Sequence, residues 1–288
     1  MGRRSRVGKT GPLVALALVF VAASGAGYAQ DDAKHERAFG RYVMATGAVP
    51  RSQLEAIVHL GDQLVDELRQ RWGGDPLYGR GRIVVRVHAT RTGYLRALDR
   101  TYGEGASSLP SIGWASYCGG ACDVCLQPDE RATLSTALHE LTHVVQTRLC
   151  GCFGGSVWIW YREGLAVALS QYTVRADGRA RFGVLDRPVE IQRSRAAAQR
   201  VAEIGYDPVA SVRRMWPLDY VEAYALVGAM SRLREPDLAA RWAEFEKAVS
   251  EGAHEGMTFV RIFRPHRLRL AAAIRRVWAV DGPPRRRP

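Results

Sequence analysis

In the run His139-Glu140-Leu141-Thr142-His143, two histidines stand four residues apart around a glutamate. In an α-helix of about 3.6 residues per turn, positions four apart share a face, about 6 Å of rise from one another. Both imidazoles can then grip one metal ion. Glu140 projects about 100° around the helix from His139, so it can reach a metal-bound water without ligating the metal, which is where a general base belongs. Zn²⁺ held by neutral imidazoles lowers the pKa of its water toward about 7. A neighbouring carboxylate takes the proton as that water attacks a carbonyl.

The flanking residues make this segment a helix. Asp129 and Glu130 give an acidic start after Pro128, and Leu134, Ala137, Leu138, Leu141, Val144 and Val145 follow at helical spacing, with the histidines at the border of the apolar face. Gly151 supplies the stop. A catalytic zinc site wants a third protein ligand and an open fourth position. Residues 157–170 read as a second helix whose Glu163 shares a face with Ile159, Ala166, Val167 and Ser170. A carboxylate on so apolar a face needs a cation, and zinc supplies one. The alternative is an ion pair with Arg162 or another arginine.

At this point the sequence resembles the gluzincins, the thermolysin-like zinc peptidases that carry a His-Glu-x-x-His helix and a glutamate ligand on the next helix. Nineteen residues separate His143 from Glu163. The strings Arg162-Glu163-Gly164-Leu165-Ala166 and Asp219-Tyr220-Val221-Glu222-Ala223-Tyr224 look most like the smaller, peptidase MA-like branch. The resemblance spans residues 82–278. It implies a thermolysin-like fold, one catalytic Zn²⁺ on His139, His143 and Glu163, Glu140 as base, and a peptide or protein substrate. It also implies an oxyanion donor from a later helix, for which Tyr220 fits better than Tyr224 one turn on. The family's buttressing aspartate, one turn after the third ligand, is replaced here by Val167. The partner that orients the histidines must then come from elsewhere or be missing.

Arg3, Arg4, Arg6 and Lys9 precede an apolar run over residues 13–23 and a small-residue exit at Gly27-Tyr28-Ala29. Residues 1–29 therefore read as a signal peptide, since eleven apolar residues fall short of the roughly 20 that span a bilayer. The expectation is an exported protein, periplasmic or extracellular, without a transmembrane anchor after processing. Cleavage removes those four cations and no acid, taking the formal net charge from +12 to +8. The remaining arginines are dispersed, among them Arg264, Arg267, Arg269, Arg275 and Arg276 on the last helix, and lack interleaved aromatics. Specific nucleic-acid binding is not expected, and weak attraction to anionic envelope polymers is.

Cys118, Cys122 and Cys125 precede the metal helix, and Cys150 and Cys152 follow it. In an oxidising compartment, five cysteines permit two disulfides and one spare thiol. The expectation is two bridges joining the earlier segment to Cys150 and Cys152, with a second metal site as the competing reading. The other histidines, His35, His59, His88, His254 and His266, lack ligand spacing.

Along the chain, helices are expected over 51–72, 92–102, 189–204, 219–233, 237–250 and 268–280. A strand is expected over 82–87, two more within 111–126, and a hairpin around Asp177-Gly178. Strands followed by helices indicate an α+β fold, a small mixed sheet lobe and a helical lobe with the active-site helix between. The catalytic domain is expected over 30–280 and a disordered basic tail over 281–288. The strand at Asp123-Val124-Cys125-Leu126 is the expected place for an extended peptide to pair. Two other classes stay open: a zinc-stabilised pseudoenzyme that binds a partner, and a basic envelope-binding module whose metal is structural.

Overall fold

The computed structural model describes residues 35–75, 81–108, 111–116, 120–150, 160–184, 188–203 and 220–280, without the side chains at 150, 188–190, 200, 202, 203, 220, 279 and 280. The expected signal peptide and basic tail lie outside these residues, as do Cys118 and Cys152. No described helix is long and apolar enough to cross a membrane.

The architecture is α+β. A five-stranded sheet is built from β1 (Glu36–Phe39), β2 (Val43–Gly47), β3 (Ile83–His88), β4 (Gly113–Ala115) and β5 (Ala121–Cys125), in the order β1-β2-β3-β5-β4. β2, β3 and β5 run parallel, and β1 and β4 close the two edges antiparallel. Alternation sorts the strands' side chains between two faces. Ile83, Val85 and Val87 of β3, with Cys122 and Val124 of β5, enter the main core. That core is covered by α1 (Arg51–Trp72) and α3 (Glu130–Cys150). α1 places Leu54, Ile57, Leu64 and Leu68 there at helical spacing and stops at Gly73, whose φ of 74° favours glycine. The opposite face turns Arg86, His88, Asp123 and Cys125 toward α2 (Arg91–Tyr102), where Tyr94, Leu98 and Cys125 make a small second core.

The chain then becomes helical. α4 (Trp160–Ser170) leads into a short hairpin, β6 (Tyr172–Val174) and β7 (Ala180–Phe182). After it come α5 (Pro188–Glu203), α6 (Tyr220–Met230), α7 (Pro236–Ser250), α8 (Glu255–Phe263) and α9 (Arg267–Val280). Gly164 fixes how α4 and α6 meet, because a Cβ there would sit 2.5 Å from the Ala223 carbonyl oxygen. Rings of Trp160, Tyr161, Trp242, Phe245 and Phe259 pack α4 against α7 and α8.

The expected helices and the hairpin recur to within a few residues of their expected ends, while β1, β2 and α8 are additions. The β1–β2 turn is organised from a distance: Asp62 of α1 accepts hydrogen bonds from the backbone N–H groups of Arg41, Tyr42 and Val43. The expected pairing edge is corrected. β5 is internal, flanked by β3 and β4, and the edge strand beside the metal helix is β4.

Candidate metal centre

α3 begins where expected. The Asp129 carboxylate accepts from the Arg131 N–H at 3.0 Å and its carbonyl from Thr133 N–H at 3.1 Å, satisfying donors a helix start leaves open. Leu138, Leu141, Val144 and Val145 pin one side of α3 into the core, so His139 and His143 face α4. The two helices are tied by the Ser135 hydroxyl, which donates to the Ser170 carbonyl at 3.1 Å.

Three expected ligands converge. His139 Nε2 and His143 Nε2 are 3.2 Å apart, and Glu163 Oε2 lies 3.4 Å from each. Metal–ligand bonds of about 2.0–2.1 Å in a tetrahedron put neighbouring donors about 3.3–3.4 Å apart, so this triangle has the size of one tetrahedral face. Two further observations fit a cation. Glu163 Oε2 is buried without a hydrogen-bond partner, an arrangement that is costly for a bare carboxylate. On the outer side of His143, Nδ1–H donates to Gln146 Oε1 at 3.2 Å, which leaves Nε2 with its lone pair toward the other donors. The three residues could therefore hold one divalent metal ion. His139 and Glu163 keep side-chain exposures of 19% and 14% against 5% for His143, so solvent reaches the triangle from their side.

The electrostatics follow from burial. Desolvation alone would raise the Glu163 carboxyl, but His143 and His139 outweigh it and hold it well below the usual range. For His143, burial opposes protonation and loses to Glu163, Glu140 and Gln146, so its pKa is raised. Glu140, buried beside them, is raised by desolvation against the lowering pull of both histidines. A carboxyl tuned upward accepts and returns protons more readily near neutral pH. Edge strand β4 lies directly on it. A Cβ at Gly113 would sit 2.6 Å from Glu140 Cγ and Oε1, so only glycine lets the strand approach this closely.

Arg162, considered as a pairing partner for Glu163, points elsewhere and bonds Glu255 at 3.1 Å in a buried pair. Burial raises Glu255 to about 7, against the lowering effect of Arg162. Val167 makes no polar contribution and packs against the main core. Gln146 stands where a carboxylate buttress was sought. A neutral amide three residues past a histidine gives the sequence no distinguishing mark. Tyr220 is the first residue of α6, with its side chain outside the described residues. Tyr224 is buried edge-on against Trp278, with ring centroids 5.6 Å apart, which is a core role.

Cys122 and Cys125 are both free and buried. Three residues apart on one strand, they turn to opposite faces, Cys122 into the main core and Cys125 under α2, so they cannot converge on the end of α3. This corrects the expectation of two bridges from the earlier segment: with both thiols free, Cys118 is its one remaining candidate. Compared with known proteins, the chain matches no family model and no curated protein.

Proposed function

We propose that the protein is an exported zinc-dependent peptidase of the gluzincin, thermolysin-like type, hydrolysing peptide bonds by water attack that Glu140 promotes. The observation that carries this reading is the converging triangle of His139 Nε2, His143 Nε2 and an otherwise orphaned Glu163 Oε2, with the buried Glu140 carboxylate one residue from the first ligand. Two imidazoles and a carboxylate suit zinc better than the hard cations, which take oxygen ligands. Bound there, zinc would supply Lewis acidity and lower the pKa of a water in its open position. Glu140 takes the proton from the attacking water and returns it to the leaving amine. Gln146 keeps the His143 ring in its tautomer and orientation.

The outer edge of β4, which has no paired strand among the described residues and starts over Glu140 at Gly113, is where an extended peptide substrate pairs as an added strand. Tyr220 donates to the oxyanion. Residues 1–29 direct export. A second reading, a zinc-stabilised pseudoenzyme, is favoured by one observation, the neutral Gln146 where a carboxylate would raise ligand basicity further.

Metal analysis of the purified protein, paired with cleavage profiling on a mixed peptide library, tests both. About one zinc per chain and cleavage that Glu140→Gln abolishes supports the peptidase. Stoichiometric zinc without cleavage leaves the pseudoenzyme, and absence of metal at micromolar free zinc overturns both.

A further inference from the structure

On the far side of α4 from the candidate metal donors lies an open cavity of about 840 Å³. At 100° per residue, Leu165, Ala168 and Leu169 point away from Glu163. These three form its buried floor, and the partly exposed Phe182, Val184, Ile191, Leu233 and Val277 give it an apolar wall. None of His139, Glu140, His143 or Glu163 touches it.

The charged part of the described lining is mostly basic. Arg71, Arg181, Arg232, Arg234 and Arg276 face Glu67 and Glu235, five positive charges against two negative. Arg71 is engaged with Glu246 at 2.9 Å, and Arg276 pairs with Glu235. Arg232 donates to the Gly183 carbonyl and lies over the Trp278 ring, 5.5 Å from its centroid. The guanidinium groups of Arg181 and Arg234, both exposed at the cavity's rim, have no hydrogen-bond or ion-pair partner among the described residues. Two guanidinium groups without partners beside an apolar wall call for a molecule with an anionic end and an apolar body, because the planar fork of arginine matches a carboxylate or phosphate. A cavity of this volume takes one small molecule, not a folded partner.

We propose that this cavity binds a single-chain anionic amphiphile, with its acyl chain along Phe182, Ile191 and Val277 and its head held by Arg181 and Arg234. The head is a carboxylate or a phosphate, from a free fatty acid or a lysophospholipid.

Isothermal titration calorimetry on the purified protein, below each ligand's micelle concentration, tests it with laurate, 1-lauroyl lysophosphatidate, glycerol monolaurate and inorganic phosphate. One equivalent of laurate or of lysophosphatidate binds at least 10-fold more tightly than the uncharged monolaurin. Which of the two anions binds better identifies the source. The double variant Arg181→Ala/Arg234→Ala, at two exposed positions, weakens both anions at least 10-fold while keeping the wild-type melting temperature. Ser231→Trp, which fills the cavity from an exposed lining position, does the same. Equal affinity for monolaurin, phosphate binding as tightly as laurate, unchanged affinity in the double variant, or absence of binding would each overturn the proposal.

Discussion

Asp123 and Glu163 are both carboxylates buried beside histidine, and the fold completes one and leaves the other open. Asp123, its side chain fully buried, accepts two bonds from Arg86 at 2.7 and 2.5 Å, one from His88 at 2.8 Å and one from the Tyr102 hydroxyl at 3.2 Å. Both its oxygens are satisfied by protein. Glu163 meets two imidazoles as well, but its Oε2 sits 3.4 Å from both with no hydrogen bond. A buried polar group is normally paired, so a closed network is a piece of scaffold, whereas a converging set with an orphan oxygen could hold an outside cation. The two clusters lie on opposite faces of one sheet, and β5 carries Asp123 between Cys122 and Val124, which enter the core beneath α3.

The comparison breaks first at catalysis. Glu140→Gln should keep about one zinc and lose hydrolysis by about 10²–10⁴-fold, the usual contribution of a general base. Retained turnover in a preparation free of other peptidases would remove Glu140 from the mechanism. Next come the two carboxylates, exchanged for their amides. Asp123→Asn leaves the partly exposed Arg86 against a neutral partner and should cost about 1–3 kcal/mol in urea unfolding with zinc content unchanged. Glu163→Gln should do the opposite, losing zinc to a mild chelator with a smaller change in the metal-free protein's stability. If Asp123→Asn loses metal, or Glu163→Gln keeps it under dialysis, the division into scaffold and site is wrong.

Smaller effects sharpen the contrast. Gln146→Leu keeps the side-chain volume and removes the acceptor behind His143, so zinc affinity should fall about 10–100-fold, read by competition with a chromophoric chelator. A wild-type constant would show that the His143 ring is held by packing alone. The smallest signal is a pH dependence. Arg86 and His88 outweigh burial and lower the folded pKa of Asp123 below its unfolded value near 4. The unfolded chain therefore binds the proton more readily. The stabilisation from Asp123 is complete above about pH 4 and disappears as pH falls through the folded value. Melting temperatures of metal-free wild type and Asp123→Asn should converge below pH 4, and parallel curves would reject the assignment.

What the sequence disclosed follows the range of each interaction. His139, Glu140 and His143 declare themselves because their geometry is set by one helical turn, and Glu163 because a lone carboxylate on an apolar helix face is conspicuous. β1 and β2 escaped notice because Met44, Thr46 and Gly47 blur the alternation. Their pairing is enforced by β3 and by Asp62, about 20 residues along the chain. The cysteines misled for a related reason. Closeness along the chain suggested a cluster, yet an odd separation on a strand sends neighbours to opposite faces. Arg162 and Glu255, 93 residues apart, left no trace that either needed the other.

That last pair also orders events during synthesis. Arg162 immediately precedes the candidate ligand Glu163 and is buried, and Glu255, which it bonds, opens α8. A nascent polypeptide that stops short of residue 255 carries Arg162 without that carboxylate, on the same turn of helix that must present Glu163. The buried pair that supports the turn carrying Glu163 therefore forms only after the segment through Glu255, 93 residues further on, has been made.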